Sequence, residues 1–204
     1  MLHTEIFSEK QTALLPLLRE FRGSFGLVGG TALALHIGHR ESVDFDLFTT
    51  EPLSHARLRQ KVVGFGKNIQ TLFENPVEYT VLVDGVKVTF LQYPFPLVYT
   101  VPLTDTISLP DILTLSAMKA YALGRRAKWK DYVDLYFVMK EYHSLSEIVA
   151  KAEELFGSEF SEKNFRSQLA YFQDIDYSEA VTFRPGFEKT DVEIREGLKQ
   201  YSLS

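Results

Sequence analysis

Hydrophobic positions in the first half of the chain recur with both helical and strand-like spacing. Apolar residues at helical intervals predict a helix over residues 9–22. An apolar run between glycines predicts a strand over residues 25–28, and the segment that follows Gly29 and Gly30 predicts a helix ending at Gly38. The same reasoning gives two further elements, a helix over residues 52–65 and a strand over residues 69–73.

The heptapeptide SVDFDLF alternates between apolar and polar side chains. This period of two predicts a half-buried strand with Val43, Phe45 and Leu47 on its buried side. Asp44 and Asp46 fall on the opposite side. We therefore expect the strand to present two carboxylates together on its solvent-facing side.

Two apolar segments on either side of an Asp-Gly pair predict a β-hairpin. The strands cover residues 77–83 and 86–93, and the turn is Asp84-Gly85. An Asp-Gly pair accommodates the positive φ angles of a tight type I′ turn. The hairpin has the strongest local signal in the sequence.

Four prolines interrupt the pattern between residues 94 and 110, and the spacing beyond them is helical. Four helices are expected there, through residues 113–122, 132–138, 145–156 and 162–172. The last thirty or so residues are polar and predict an irregular tail. The whole pattern predicts an α+β or α/β fold, with a mixed sheet flanked by helices and a C-terminal helical part.

The change in pattern also predicts that the chain has two parts with different roles. We place an α/β core at residues 1–105 and a helical part at residues 106–204. An active cleft is expected between them, with the helical part supplying basic residues. Whether the two parts are separate domains, or one core with helical additions, stays open at this point.

Composition narrows the classes of function. The chain has no cysteine, which excludes a disulfide framework, a thiolate zinc site and a cysteine nucleophile. No apolar run approaches the roughly 18 residues of a membrane span. The first residues also lack the basic and then apolar pattern of a secretory leader. We therefore expect a cytoplasmic protein with no membrane partner.

The net charge of −5 argues against a protein that coats nucleic acid. Residues 144–204 contain 12 acidic and 7 basic residues and so carry the whole excess. That acidic part either contacts a partner or shields a basic patch elsewhere. Within the balanced remainder, five cations follow one another without an acid: Lys119, Arg125, Arg126, Lys128 and Lys130. Such a patch suits a compact anion such as a nucleotide, although a solvated helix face is the better explanation of this run taken alone.

Candidate chemistry is concentrated in the stretch GGTALALHIGHRESVDFDLF. Gly29 and Gly30 stand at a strand-to-helix turn, where free backbone N–H groups favour a phosphate. Thr31 either adds its hydroxyl to that phosphate or caps the helix. His39 and Arg40 add a pair of cations close by in sequence. We therefore take the glycines, Thr31 and Arg40 as candidate nucleotide-binding residues.

Asp44 and Asp46 supply the second part of this candidate site. Two residues apart on a strand, they place their backbone positions about 6.5 Å apart on one face. Mg²⁺ is commonly bound by one or two carboxylates together with water and substrate phosphates. The pair therefore predicts a magnesium site completed by a nucleoside triphosphate. The alternative is an ordinary solvent-facing strand.

The same stretch resembles the signature of the AbiEii/AbiGii toxin-like nucleotidyltransferases, a family of the polymerase-beta-like nucleotidyltransferase superfamily. A second match lies in KAYALGRRAKWKDYVDL. It resembles the family pattern of a lysine, an arginine seven residues later, and a basic-Asp pair ahead of Asp-Leu. These are Lys119, Arg126, Lys130-Asp131 and Asp134-Leu135. The resemblance covers residues 20–140 or so.

The resemblance implies a nucleotidyltransferase core in which Gly29, Gly30 and Thr31 hold the triphosphate while Asp44 and Asp46 bind magnesium. The second motif then supplies basic residues to the nucleotide.

Residue chemistry points to similar roles, because nucleotidyl transfer needs cations to offset charge in the transition state. Lys119 and Arg126 lie two turns apart on one expected helix face, so both could address phosphates, and Lys130 joins them as a candidate. Asp131 either anchors one of these cations or positions an acceptor hydroxyl, and it counts as catalytic beside Asp44, Asp46 and Lys119. Asp134 is expected to make a structural ion pair or a helix cap.

One position departs from the superfamily pattern. Members commonly carry a third carboxylate on a later strand, whereas the corresponding strand here has Thr89. Glu74, Glu78 and Asp84 are possible substitutes, although a turn already explains Asp84. The departure leaves open a catalytically silent module that binds a nucleotide or a partner without turnover.

The leading expectation is a Mg-dependent nucleotidyltransferase. It would move a nucleotide from an NTP to an acceptor hydroxyl, on RNA such as tRNA or on a protein. The family resemblance also implies a toxin with a cognate antitoxin as partner.

Overall fold

The computed structural model describes all 204 residues, which form two compact units. The first unit comprises Met1–Gly38 and Ser42–Asp111, and the second comprises His39–Glu41 and Ile112–Ser204. The helices are α1 (Glu9–Arg19), α2 (Gly29–Ile37), α3 (His55–Val63), α4 (Ile112–Leu123), α5 (Trp129–Glu141), α6 (Leu145–Phe156), α7 (Glu162–Leu169) and α8 (Asp191–Ser202). The strands are β1 (Gly26–Val28), β2 (Phe45–Thr49), β3 (Ile69–Asn75), β4 (Glu78–Val83), β5 (Val86–Gln92), β6 (Val101–Leu103) and β7 (Ile107–Leu109).

The first unit is built on a five-stranded mixed sheet with the order β1-β2-β5-β4-β3. Strands β2 and β5 are parallel, and the other neighbours are antiparallel. Side chains alternate along β2 and β5, so that Phe45, Leu47, Val88 and Phe90 are fully buried. The residues between them are half-exposed and leave the other face of the sheet open. The predicted mixed sheet flanked by helices is confirmed.

The β4–β5 hairpin is confirmed, with Val83 opposite Val86 and positive φ angles at Asp84 and Gly85. The expectation for Val43 is wrong, since its side chain is 56% exposed. The reason is that β2 begins only at Phe45. Strand alternation therefore does not govern the residues before Phe45.

Three elements were not expected from the sequence. Strands β6 and β7 form a separate two-stranded sheet within the proline-rich segment. Helix α8 occupies part of the polar C-terminal stretch, where we expected an irregular tail. Its start is a capping box in which Thr190 and Glu193 satisfy each other's backbone N–H groups. Its Ile194 and Leu198, one turn apart, are fully buried.

The second unit is helical. Helix α4 packs against α5, α6 and α7, and α8 packs against α5 and α7. The segment His39–Glu41 belongs to this unit and is held by backbone hydrogen bonds from Glu41 N to Thr182 O and from Arg184 N to His39 O. None of the helices combines the length and the apolar character needed to cross a membrane.

Candidate active site

The first turn of α2 lies directly against Asp46. Gly29 has a φ of +72°, and a Cβ atom there would stand 2.3 Å from Asp46 Oδ2. The antiparallel register explains this contact, because Val28, the residue before Gly29, pairs with Asp46. Gly29 and Gly30 are half-exposed, and α2 has no side-chain N-cap. The glycine pair and one predicted metal ligand therefore share a site.

Thr31 and Ser42 fix the segment that leads into β2. The Thr31 hydroxyl lies 2.9 Å from Ser42 Oγ and donates to the Asp44 carbonyl oxygen. Gln11 Nε2 donates to the Ser42 carbonyl oxygen over 2.8 Å in a buried contact. Thr31 is only 2% exposed, so its hydroxyl positions Asp44 and does not point to solvent as a phosphate ligand would. Both aspartates are thus held against the first turn of α2, Asp46 by its side chain and Asp44 by its backbone.

Lys87 is a site residue that sequence reasoning missed. Its ammonium lies 2.7 Å from Asp44 Oδ2, and the two side chains are 38% and 31% exposed. The signal was present in the alternation of β5, which places Lys87 and Thr89 on the same face. A cation beside Asp44 offsets part of the negative charge of the aspartate pair.

Thr89 stands next to Asp46 in the parallel β2–β5 register. Its hydroxyl accepts a 3.4 Å hydrogen bond from Thr80, whose hydroxyl also lies 2.8 Å from Glu78 Oε1. Glu78 is therefore linked to this face of the sheet, but no group of three or more His, Cys, Asp or Glu side chains is placed to hold a metal ion. The third-carboxylate position is occupied by a hydroxyl.

The structure corrects the expectation that Arg40 contacts a nucleotide. Its side chain is 1% exposed. Nε and Nη2 donate to the two carboxylate oxygens of Asp134 over 2.6 and 2.9 Å, and Nη1 donates to the Glu41 carbonyl oxygen. His39 Nε2 also lies 2.8 Å from Asp134 Oδ1. His39 and Arg40 therefore anchor Asp134 inside the protein, and Asp134 makes the structural ion pair expected of it.

Lys119 lies between two carboxylates in the second unit. Its ammonium contacts Asp131 Oδ1 and lies 2.8 Å from Asp134 Oδ2. The side chains of Lys119, Asp131 and Asp134 are 9%, 2% and 0% exposed. Together with His39 and Arg40 they form a set of buried charges that we call the Asp134 cluster. Asp131 Oδ2 is buried and has no hydrogen-bond partner.

Burial and charge oppose each other in the Asp134 cluster. Burial by itself would raise the pKa of Asp134, but the charges of Arg40 and Lys119 outweigh it and hold that pKa well below the ordinary value. Burial would lower the pKa of Lys119, whereas Asp131 and Asp134 raise it. For His39 burial wins over Asp134, so its pKa is lowered and the ring is neutral at pH 7. Two anions and two cations therefore balance inside the cluster.

Lys119 and Arg126 are not two turns of one helix as expected, because α4 ends at Leu123. The Arg126 amide still bonds to the Ala122 carbonyl oxygen, and its exposed guanidinium has Nε 3.5 Å from Asp131 Oδ2. The two cations thus meet at opposite oxygens of one carboxylate. Asp131 anchors both, which is one of the two roles foreseen for it.

The remaining cations of the basic run pair with acids of the C-terminal stretch. Lys130 lies 3.2 Å from Glu179, which also binds Lys128, and these lysines lower the pKa of Glu179 to about 2. Arg125 lies 3.1 Å from Glu159. The acidic stretch therefore shields the basic patch. Lys130 could contact a nucleotide phosphate only if that phosphate displaced Glu179.

The donor set at the aspartate pair suits a magnesium ion. Asp44 and Asp46 are half-exposed carboxylates, and the first turn of α2 beside them has free backbone N–H groups. Because no third carboxylate or imidazole joins them, an ion there takes its other ligands from water and from substrate phosphates. This arrangement suits the binding of a triphosphate.

Comparison with known proteins shows the fold and a family match in the first unit. Residues 12–95 match the family model described as nucleotidyl transferase AbiEii toxin, type IV TA system. The uncharacterized protein aq_aa25 of Aquifex aeolicus (strain VF5) is 27% identical over 185 residues, with 87% of each chain covered.

Two solved structures share the fold along nearly the whole chain. The nucleotidyltransferase toxin MenT4 of Mycobacterium tuberculosis H37Rv aligns with a TM-score of 0.63 and 14% identity, covering 95% of this chain and 80% of its own. JHP933 of Helicobacter pylori aligns with a TM-score of 0.59 and 14% identity, covering 100% and 92%. Residues 12–95, which match the AbiEii nucleotidyltransferase toxin family, hold the glycine pair and both aspartates.

Proposed function

We propose that the protein transfers a nucleotide from an NTP to an acceptor hydroxyl, with Mg²⁺ bound by Asp44 and Asp46. The observation that carries the proposal is the direct contact between Gly29 and the Asp46 carboxylate. It brings a backbone site for phosphate next to a half-exposed carboxylate, within residues 12–95, which match a nucleotidyltransferase family model. The family match also weighs against the catalytically silent alternative.

The reaction is a single displacement at the α-phosphorus. The acceptor oxygen forms a bond to that phosphorus, the bond from phosphorus to the β-phosphate oxygen breaks, and pyrophosphate leaves. The hydroxyl proton passes to solvent. Backbone N–H groups of Gly29 and Gly30 hold the triphosphate, and a bound magnesium ion would offset charge on its oxygens.

We assign the cations of the second motif to the phosphates of the nucleotide. They differ in whether they must first leave an ion pair within the protein. Arg126 is 55% exposed, so its guanidinium can bind a phosphate without leaving a buried ion pair. Lys119 is buried between Asp131 and Asp134, so it acts on phosphate only if it exchanges one carboxylate for the ligand. Lys130 must likewise leave Glu179. Arg40 has no place in this assignment.

The acceptor and partners follow from the family rather than from the site geometry. We propose RNA, such as the 3′ end of a tRNA, as the acceptor. A toxin of a type IV TA system has an antitoxin as its counterpart, and we extend that to this chain. NTPs and RNA are both plentiful in the cytoplasm, where we place the reaction.

The experiment is incubation of the purified protein with each α-labelled NTP, MgCl₂ and total RNA, followed by gel separation and pyrophosphate measurement. We expect label in an RNA band and release of pyrophosphate. Asp46→Asn should abolish both while retaining the fold, because it keeps the shape of the side chain and removes its charge. Asp105→Asn is the matched control, since Asp105 is an exposed aspartate of the same unit that pairs with Arg19.

The outcomes separate the competing explanations. Stabilisation by NTP and Mg²⁺ without pyrophosphate release would identify a silent nucleotide-binding module and refute the enzyme. Pyrophosphate release with label only in protein would keep the enzyme and refute RNA as acceptor. Equal losses in Asp46→Asn and Asp105→Asn would refute the assignment of the metal site.

A further inference from the structure

A groove of about 750 Å³ lies in the first unit, away from the aspartate pair. It is bounded by Thr49 and Thr50 where β2 ends, by residues 23–25 before β1, by the first two turns of α3 and by residues 96–99. Thr49 is three residues beyond Asp46 along β2, which corresponds to about 10 Å. Its volume is that of a site for a small organic ligand or a short stretch of polymer.

The groove carries excess positive charge on one wall. Arg57 of α3 is exposed and has no ion-pair or hydrogen-bond partner. Lys61, one turn further along α3, donates to the Glu20 carbonyl oxygen, and its ammonium is 3.9 Å from the Glu20 carboxylate. Glu51 is the one acidic side chain that lines the groove. An anionic ligand would give Arg57 the partner that the protein does not supply.

Aromatic and apolar side chains also line the groove. Phe25 is half-buried and is held edge-on by the rings of Phe21 and Phe90, at 5.6 and 5.5 Å. Tyr99 covers Gly26, where a Cβ atom would come within 1.9 Å of its ring, and its hydroxyl donates to the Phe48 carbonyl oxygen over 3.0 Å. Both rings are therefore fixed in place and line a permanent groove.

We propose that this groove binds a single-stranded segment of the nucleic-acid acceptor. A positive groove that follows the backbone, combined with aromatic side chains on which bases stack, is the usual design for single strands. Arg57 and Lys61 contact phosphates, and Phe25 and Tyr99 contact bases. The inference rests on the proposed transfer to an RNA acceptor and adds the surface that holds it.

Binding of a fluorescent single-stranded 12-mer RNA, measured by anisotropy without NTP between 50 and 300 mM KCl, tests the proposal. We expect Arg57→Gln to weaken binding and to lower the slope of log Kd against log salt by about 0.7, the contribution of one phosphate contact in a single strand. Arg59→Gln is the matched control. Arg59 sits two residues along on α3, pairs with Glu74 and does not line the groove, so it should leave the slope unchanged.

Equal changes in the two variants would overturn the proposal, since they would show only a diffuse effect of charge. No binding by the wild-type protein would overturn it as well. Tighter binding of an inorganic polyphosphate than of RNA would show a groove that selects charge and ignores bases, against the proposal. Asp46→Asn should bind RNA normally. If the wild-type protein transfers nucleotides but Arg57→Gln does not change RNA binding, the groove proposal is refuted and the proposed function stands.

Discussion

The two units each hold a pair of aspartates at close spacing, and the pairs have opposite surroundings. Asp44 and Asp46 are half-exposed, next to glycine backbone, with Lys87 beside Asp44. Asp131 and Asp134, one turn apart at the start of α5, are almost fully buried among cations. The same type of side chain therefore has a different role in each unit. The open pair keeps room for a ligand, whereas the buried pair already has its counter-ions inside the protein.

Asp134→Asn is expected to have the largest effect on stability. It would leave Arg40 and Lys119 without their shared anion in a buried place, and removing one partner of a buried ion pair costs about 3–5 kcal/mol. Asp46→Asn should change the free energy of unfolding by less than about 1 kcal/mol, because the site is half-exposed. Urea unfolding of both variants measures the contrast. If both variants lost a similar amount of unfolding free energy, the distinction between an open and a buried aspartate pair would be wrong.

Arg40→Lys tests the correction that the structure makes at Arg40. A lysine cannot reproduce the two parallel hydrogen bonds to Asp134, so we expect a loss of about 2 kcal/mol in the free energy of unfolding. The affinity of the folded variant for NTP, measured by calorimetry below its unfolding temperature, should equal that of the wild type. A tenfold weaker affinity at normal stability would instead place Arg40 at the ligand.

The partner of Arg40 is also where sequence reasoning reached its limit. The contact joins residues 94 positions apart, and no local pattern records which of several acids an arginine will meet. By contrast, the strand that carries Asp46, the glycine turn and the hairpin depend on neighbours in sequence, and they were predicted. The expectation that Thr89 occupies the third-carboxylate position came from the family resemblance, and the β2–β5 register places Thr89 beside Asp46.

Local signals also explain why three elements were missed. Strands β6 and β7 have three residues each, and β6 contains Pro102, so neither reaches the length at which alternation is visible. Helix α8 did have a readable signal, the Thr190-to-Glu193 capping spacing followed by apolar residues four apart. Its overall polarity concealed a helix that buries only a narrow stripe.

The pH dependence of stability should report on the buried pair. The native pKa of His39 is below its ordinary value of 6.5, mainly through burial, and the charged groups that face the ring are Asp134, Arg40 and Lys119. Between the native and the unfolded pKa of His39, the unfolded chain binds the proton and the native protein does not. The contribution of His39 to the free energy of unfolding is therefore fully present above pH 6.5 and is lost as the pH falls below it.

We expect His39→Gln, which can still donate to Asp134, to flatten the dependence of the unfolding free energy on pH by up to about 1.4 kcal/mol per pH unit. His36, whose pKa burial also lowers, adds a slope of the same sign that remains in the variant. The Asp134 carboxylate does not interfere, since its native pKa is well below 3.8 and its contribution is lost only in stronger acid. Urea titrations from pH 5 to 8 give the comparison, and an unchanged slope would mean that His39 does not titrate as the burial requires.

Lys87→Gln should have the smallest effect on stability among these variants. It tests whether Lys87 competes with a metal ion for Asp44. The Lys87–Asp44 contact is exposed on both sides, so its loss should cost less than about 1 kcal/mol of stability. Because the ammonium competes with a metal ion for the same carboxylate, its removal should tighten Mg²⁺ binding by up to about fivefold, the equivalent of that energy. Calorimetric titration with MgCl₂ measures it, with Lys67→Gln as a control at another exposed lysine of the first unit. Weaker Mg²⁺ binding in Lys87→Gln would mean that the lysine orders Asp44 for the ion, and would contradict competition.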